Sequence, residues 1–264
     1  MDRFRFVTVP FTREIKIEQR FRAEHIEAEI KSIGDVVESR QSGVLVAPAG
    51  TGKSVVLRAL RASLPEARYR IVYIKLADLS ARDMCRQLAL GMGLPPAGHY
   101  PSLVRAIEER FRAGFDEQGL RQVVLFDDAH EMRPEVIRLL RLLTNFDMDS
   151  RLVVSVVLSG QGPLKQTLLH PEMEDIRQRL SYCGELRLLG REETKSYVDH
   201  RVKVAGAPKS PFAGEAIEAL FEVTVGNMRA IDKMATAALR VADGANRSTV
   251  SASDVAAARS SQWM

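Results

Sequence analysis

Residues 43–54, with the sequence GVLVAPAGTGKS, join a short apolar run to a loop that contains two glycines and ends in Lys-Ser. Gly50 and Gly52 let the backbone turn so that successive N–H groups point inward, an arrangement that binds phosphate oxygens. Lys53 would reach the terminal phosphates of a nucleotide, and the Ser54 hydroxyl would hold Mg²⁺. The phosphate-loop pattern has glycine at the position of Ala47, so this loop departs from the pattern at one residue.

From this motif we expect ATP and Mg²⁺ as cofactors. The alanine restricts the loop, but the glycines that face phosphate remain. The expected nucleotide contacts are Ala47, Pro48, Ala49, Gly50, Thr51, Gly52, Lys53, Ser54 and Val55.

A second motif is acidic and ends another apolar run. Residues 123–126 are apolar and lead directly into Asp127 and Asp128. The first carboxylate can bind Mg²⁺, directly or through water, and the second can orient or deprotonate an attacking water. Many nucleoside triphosphatases have glutamate at the second position. Because aspartate is one methylene shorter, we expect slow ATP hydrolysis.

The hydrophobic pattern predicts the strands and helices that these motifs need. Strands are predicted at 44–47, 69–76, 122–130, 151–160 and 184–190. Helices are predicted at 21–40, 53–64, 80–94, 102–115 and 133–146, with Ser80 as an N-cap and Pro134 in a first turn. Because strands alternate with helices, we expect an α/β fold with a parallel sheet covered by helices on both faces.

After Gly190 the pattern changes to helices with no strand between them. These helices are predicted at 191–205, 212–224, 227–243 and 251–260. We therefore predict three segments: an N-terminal arm and first helix packed on the core at 1–42, a nucleotide-binding core at 43–190, and a helical lid at 191–264.

Composition narrows the classes of protein that the chain can belong to. A net charge of +4 over 264 residues is compatible with a polyanionic partner but does not establish one. Cys85 and Cys183 lie far apart, and neither they nor the five histidines have metal-ligand spacing. The N-terminus has no apolar core of signal-peptide length, and the longest apolar run, 152–158, is too short to span a bilayer. We expect a cytoplasmic protein with no membrane partner.

Three arginines lie where an ATPase could use them. Arg177 and Arg179 precede the last predicted strand, and Arg229 lies at the start of a lid helix. An arginine from a neighbouring subunit can stabilise the charge of the transition state. An arginine from a second domain can couple the bound nucleotide to the angle between domains.

The order of the motifs resembles that of an AAA+ ATPase. The phosphate loop is followed by the acidic strand end, the polar strand end LSGQ at 158–161, RQRL at 177–180 and GNMR at 226–229. The resemblance covers about residues 10–260. It implies nucleotide and metal roles for Lys53, Ser54, Asp127 and Asp128. It also implies that the first sensor is Ser159 or Gln161, the arginine finger Arg179 or Arg177, and the second sensor Arg229.

Two finer resemblances rest on the same segments. VPFTREI at 9–15, VVLFDDAHEM, LSGQGPLKQTL, IRQRL and REETKSYVDHRVKVAG are similar to ATPases that accompany transposases, the TniB, TnsC and IstB-like helpers. These segments also resemble the ATPase domain of the ExeA secretion proteins. The short chain favours the transposition group, because ExeA-type proteins also carry a membrane span and a cell-wall-binding region.

The transposition resemblance implies a protein that assembles on duplex DNA as a homo-oligomer or helical filament, recruits a transposase and disassembles when ATP is hydrolysed. Its contacts would be to DNA phosphates, with little base readout. The candidate DNA contacts are Lys75, Arg82, Arg86, Arg105, Arg138 and Arg141. Two alternatives stay open: an ExeA-like ATPase of a secretion or envelope system, and a nucleotide-gated protein-interaction module with very slow hydrolysis.

Overall fold

A computed structural model describes residues 2–75, 78–96, 98–148 and 150–260. The contacts divide the chain into two compact units. The core unit comprises His25–Pro48 and Lys53–Leu186, and the helical unit comprises the residues up to Glu24, the loop tip Ala49–Gly52 and the residues from Arg187 onward.

The core unit is built on a sheet of five parallel strands. These strands are β1 (Ser42–Val46), β2 (Tyr69–Lys75), β3 (Arg121–Asp127), β4 (Val154–Gly160) and β5 (Leu180–Glu185). Their order in the sheet is β2-β3-β4-β1-β5, and each neighbouring pair is parallel. Parallel neighbours need crossover connections, and helices supply them here. The predicted α/β fold with a parallel sheet is confirmed.

Helices cover the sheet of the core unit. They are α1 (Glu24–Glu38), α2 (Lys53–Ser63), α3 (Ala81–Gly91), α4 (Tyr100–Asp116), α5 (Pro134–Arg138), α6 (Leu140–Thr144), α7 (Gly162–Leu169) and α8 (Glu174–Arg177). All five residues of β1 and all seven of β4 are buried, as expected for strands covered on both faces. The predicted N-cap is present, because the Ser80 side chain accepts a hydrogen bond from the Asp83 N–H.

The order of the strands also shows which segments of the chain can form a functional site together. Strands β3, β4 and β1 are adjacent and parallel, so their carboxyl ends meet at one edge of the sheet. Register pairs Val46 with Gly160 and Phe126 with Leu158. The segments that follow these three strands therefore begin side by side.

Some predicted elements differ from the observed ones. The predicted strand at 184–190 is wrong, because the last strand runs from Leu180 to Glu185. It lies at the sheet edge and, apart from the buried Gly184, consists of partly exposed and exposed residues, so it lacks the apolar run on which the prediction relied. The predicted helix at 133–146 is two short helices, α5 and α6, separated at Leu139. Residue 76 of the predicted second strand lies outside the described residues.

In its described residues the helical unit contains four helices, close to the predicted places. They are α9 (Arg191–Val204), α10 (Gly214–Thr224), α11 (Met228–Gly244) and α12 (Ala252–Ser260). Residues up to Glu24 are grouped with these helices, whereas the sequence grouped them with the core. The physical reason is aromatic burial: the ring of Phe11 meets Phe212 edge-on at 5.8 Å, and that of Phe21 meets Tyr197 edge-on at 5.3 Å.

None of the helices in the described ranges has the length and apolar character needed to cross a membrane.

Candidate nucleotide-binding site

The phosphate loop connects β1 to α2, as its motif requires. Gly50 has φ +82° and Gly52 has φ +100°, both in the region that favours glycine. Ala47, which replaces the first glycine of the pattern, lies outside the positive-φ region, and its N–H donates to the Gly160 carbonyl at 3.0 Å. Alanine therefore fits this position without backbone strain.

Lys53 is the first residue of α2, and only 8% of its surface is exposed to solvent. Its ammonium donates to the carbonyl oxygens of Ala47, at 2.9 Å, and Pro48, at 3.0 Å. A buried ammonium is stable only with such partners, and the phosphates of a nucleotide are stronger ones than carbonyls. The position of Lys53 fits its expected role in phosphate binding.

The Asp127 carboxylate ends β3 and is only 3% exposed. Its Oδ2 accepts hydrogen bonds from the Ser54 hydroxyl at 2.9 Å and the Tyr73 hydroxyl at 3.1 Å. Its Oδ1 accepts from the Asp128 N–H at 3.0 Å. Three donors thus orient this carboxylate, and the Ser54 oxygen keeps lone pairs for a cation because its proton points to Asp127.

Tyr73 is a site residue that the sequence patterns did not reveal. It lies on β2, and burial, together with the negative charge of Asp127, raises the pKa of its hydroxyl to about 12. It therefore remains a hydrogen-bond donor throughout the neutral range. The sequence carries no signal for this contact, which arises because β2 and β3 are neighbours and Lys75 pairs in register with Asp127.

Asp128 follows Asp127 with a left-handed backbone, φ 57° and ψ 35°. Aspartate tolerates this conformation better than most residues. Across the described ranges its carboxylate has neither a hydrogen-bond partner nor an ion-pair partner. Asp128 is partly buried and directly follows Asp127, the residue whose carboxylate accepts the Ser54 hydroxyl.

The end of β4 supplies two further polar groups. Ser159 is fully buried, and its hydroxyl has no hydrogen-bond partner in the described part of the chain. Gln161 is the N-cap residue of α7, and its side-chain amide lies 2.6 Å from His130 Nε2. His130 follows the acidic pair by two residues, and its contact with Gln161 was not predicted. The structure thus links the segments after β3 and β4.

The predicted arginines have different surroundings. Arg177 ends α8, where it donates to the Leu169 carbonyl at 3.4 Å and lies 3.9 Å from Glu174. Arg179 lies in the turn between α8 and β5 and is partly buried. Arg229 belongs to the helical unit; it is exposed, and its backbone N–H donates to the Gly50 carbonyl at 3.3 Å.

The candidate DNA contacts are spread over several elements of the core unit. Arg86 is 3.1 Å from Asp83, Arg141 is 3.5 Å from Asp175, and Arg138 pairs with Glu172. Arg82 donates to the Gly98 carbonyl at 3.2 Å. Lys75 and Arg105 are exposed, and neither has a hydrogen-bond or ion-pair partner in the ranges that the structure describes.

Within those same ranges, no cluster of three or more histidine, cysteine, aspartate or glutamate side chains could hold a metal ion. A cation at this site would therefore rely on Ser54, Asp127 and the phosphates of the nucleotide, which is how Mg²⁺ is usually bound beside a phosphate loop.

Comparisons with known proteins agree with this geometry. Residues 36–168 match a family described as AAA domain. General secretion pathway protein A of Aeromonas hydrophila is 33% identical over 199 residues, which are 74% of this chain and 36% of the relative. The chain thus spans about a third of the length of this curated relative.

Solved structures with the same fold include proteins that act on DNA. Cdc6p from Pyrobaculum aerophilum has a TM-score of 0.74 at 17% identity, covering 95% of this chain and 70% of its own. The Aeropyrum pernix ORC1 protein in complex with DNA has a TM-score of 0.67 at 14% identity, and the match covers 92% of this chain and 66% of the ORC1 chain. The Thermotoga maritima RuvB Holliday junction branch migration motor has a TM-score of 0.64 at 15% identity, and the match covers 95% of this chain and 73% of the RuvB chain. At these identities the likeness concerns the fold.

Proposed function

The chain belongs to the AAA domain family of ATPases, which use ATP with Mg²⁺, and from the resemblance of its motifs to those of transposase helpers we propose that it is an ATP-dependent regulator of DNA transposition. In this proposal it assembles on duplex DNA with ATP bound, recruits or activates a transposase, and leaves when ATP is hydrolysed. Such a role would place the protein in the cytoplasm.

The observation that supports the ATPase site is the hydrogen bond from the Ser54 hydroxyl to Asp127, the residue that precedes Asp128. Bound Mg²⁺ would supply charge neutralisation to the β- and γ-phosphates. Lys53 would exchange its two carbonyl partners for phosphate oxygens. Asp127 would hold the Ser54 hydroxyl with its oxygen directed at the cation, and Tyr73 would hold Asp127.

Asp128 would orient the attacking water and accept its proton, since its carboxylate is committed to no other group in the described residues. Ser159 or Gln161 would sense the γ-phosphate. The buried hydroxyl of Ser159 supports Ser159 as the sensor, because a hydrogen bond to a buried hydroxyl without a partner in the described residues removes the free-energy cost of leaving it unsatisfied. The His130 contact holds Gln161 in place and supports the second.

Arg179, or Arg177, would act on the ATP of a neighbouring subunit. A head-to-tail contact of this kind uses two different surfaces, so it generates a ring or a helical filament. Arg229 would act as the second sensor from the helical unit.

Binding to duplex DNA is supported by two observations. The motifs resemble those of transposase helpers, and the related folds include ORC1 in complex with DNA and a branch migration motor. Lys75 and Arg105 are the strongest candidates for phosphate contacts, because they are exposed and carry no carboxylate partner in the described chain. Arg138 and Arg141 are weaker candidates, because each is already paired with a carboxylate.

A second candidate function is an ATPase of a secretion or envelope system. The 33% identity with general secretion pathway protein A favours it. The aligned residues are 36% of the length of that relative, so the comparison concerns that part of it alone.

The test is binding of the full chain to random-sequence duplex DNA with ATP and Mg²⁺, with ADP, and without nucleotide, across a salt series. Lys53→Ala is the control that removes the phosphate-binding ammonium. Cooperative binding that requires ATP, weakens with salt and is lost in Lys53→Ala supports the DNA function. Protein that binds ATP but no DNA in any nucleotide state would overturn it and favour the secretion alternative.

A further inference from the structure

The phosphate-loop tip, Ala49–Gly52, is held by the first residues of α11 within the helical unit. Asn227 is the N-cap of α11: its side-chain oxygen accepts the Ala230 N–H at 3.1 Å. The amide nitrogen of the same side chain donates to the Ala49 carbonyl at 2.7 Å. One side chain therefore ends the helix and binds the loop, with each of its polar atoms used once.

A second hydrogen bond from α11 reaches the next carbonyl of the loop. The Arg229 backbone N–H donates to the Gly50 carbonyl at 3.3 Å. Two successive carbonyl groups, those of Ala49 and Gly50, thus point toward the start of α11.

The geometry of the peptide unit relates the direction of these two carbonyl groups to anion binding by the loop. In a trans peptide unit the C=O and the following N–H point in opposite directions. When the Ala49 and Gly50 carbonyls are drawn to α11, the N–H groups of Gly50 and Thr51 are directed to the opposite side of the loop. Successive N–H groups on one side are the donors that a phosphate loop offers to an anion.

Packing shows that the loop tip and α11 are shaped for each other. A Cβ atom on Gly50 would lie 2.3 Å from the side-chain oxygen of Asn227, and one on Gly52 would lie 2.8 Å from Met228 Cε. Both glycines also have positive φ, so they meet two requirements at once. At Gly50 the close approach depends on the missing side chain, because Arg229 Cβ would also lie 3.0 Å away, whereas at Gly52 the nearby atom is the flexible end of Met228.

We propose that Asn227 is a positioning residue for nucleotide binding: its amide holds the Ala49 carbonyl and thereby presents the loop N–H groups to the nucleotide phosphates. This role differs from that of Arg229, whose exposed side chain would act through its charge. The proposal rests on ATP binding at the phosphate loop and is independent of DNA or transposase binding.

The test variant is Asn227→Ser in the full chain. Serine caps a helix about as well as asparagine, so the helix start is kept, but its short hydroxyl does not replace the amide donor to Ala49. We expect the Kd for ATP and for ADP to rise by the same factor, about three- to tenfold, because both ligands carry the phosphates that contact the loop. The midpoint of thermal unfolding without nucleotide should change by less than about 2 °C.

Ser80→Ala is the matched control, because it removes the N-cap of α3 in the core unit. It should lower the unfolding midpoint by about 2–4 °C and leave the Kd for ATP unchanged. An Asn227→Ser protein that binds ATP and ADP within twofold of the wild-type Kd would overturn the proposal. Wild-type protein that binds nucleotide but no DNA would contradict the transposition function and leave this proposal intact, so the two failures are distinguishable.

Discussion

The hydroxyl of Tyr73 lies 3.1 Å from Oδ2 of Asp127, the same oxygen that accepts the Ser54 hydroxyl at 2.9 Å. A tyrosine on one strand thus shares an acceptor with the serine that would hold the cation. The two donors together fix the direction in which the remaining lone pairs of Asp127 point. Ser54 would share its oxygen with the cation, whereas Tyr73 would hold Asp127 from the neighbouring strand.

We therefore expect Tyr73→Phe to weaken Mg²⁺ binding with little effect on ATP binding. Loss of one donor leaves Asp127 less well oriented, so the Mg²⁺ concentration for half-maximal ATPase activity should rise about two- to fivefold. Steady-state rates across a Mg²⁺ titration measure this. Tyr69→Phe is the control, because Tyr69 lies on the same strand and its hydroxyl pairs with Arg121 instead. Equal Mg²⁺ curves for the two variants would contradict the role of Tyr73.

Asp128 offers a prediction about the chemical step. Asp128→Asn keeps a side chain that tolerates the left-handed backbone and removes the group that would accept a proton. We expect ATP affinity within about threefold of wild type and a turnover about a hundredfold lower. Single-turnover phosphate release separates binding from hydrolysis. A hydrolysis rate unchanged by this substitution would mean that another residue handles the water.

The parts of the site that could be predicted from sequence are those encoded by neighbouring residues. Lys53 and Ser54 follow a buried strand and open a helix, and Asp127 and Asp128 end one, so local pattern was enough to find them. The parallel sheet followed from the alternation of apolar segments. Its edge strand β5 was misplaced because it carries little apolar signal.

The parts that could not be predicted depend on contacts between distant residues. Tyr73 meets a carboxylate 54 residues away, and Asn227 meets a carbonyl 178 residues away. Neither residue type is unusual at its position: tyrosine is common in strands, and asparagine is common at a helix N-cap. Only the folded chain shows that Tyr73 contacts the Asp127 carboxylate and that Asn227 has a second partner in the phosphate loop.

For the proposed DNA binding, the carboxylate partners of the basic residues predict which of them contact DNA phosphates. Arg105→Ala should weaken duplex binding and reduce the salt slope by about one, because an exposed arginine without a carboxylate partner can release a counterion from DNA. Arg141→Ala should have a smaller effect, since Arg141 already lies 3.5 Å from Asp175. Binding measured from low to moderate salt with ATP and Mg²⁺ compares the two. A larger loss for Arg141→Ala would show that its ion pair opens on DNA.

A buried carboxylate in the helical unit predicts a pH dependence of stability. Asp232 on α11 accepts the Tyr197 hydroxyl at 2.8 Å and lies 3.7 Å from Arg201, with the charge of Arg13 also acting on it. Burial raises its pKa to about 6, against the lowering effect of Arg201, Tyr197 and Arg13. In the unfolded chain an aspartate has a pKa of about 4.

Because the folded state holds this proton more tightly, the stabilising contribution of Asp232 is complete below about pH 4 and is lost as the pH rises through about 6. The pKa difference of about two units corresponds to about 3 kcal/mol.

Asp232→Asn cannot titrate, so the difference in free energy of unfolding between wild type and variant should shift by up to that amount between pH 4 and pH 7. Urea unfolding at several pH values measures it, and the subtraction cancels carboxylates such as Asp78 and Asp116, whose pKa values are lowered by arginine partners. Asp199→Asn, at an exposed aspartate on α9, is the matched control for removing one carboxylate from the helical unit. A difference for Asp232→Asn that does not vary with pH would mean that Asp232 stays ionised in the folded protein, held by Arg201 more strongly than burial opposes it.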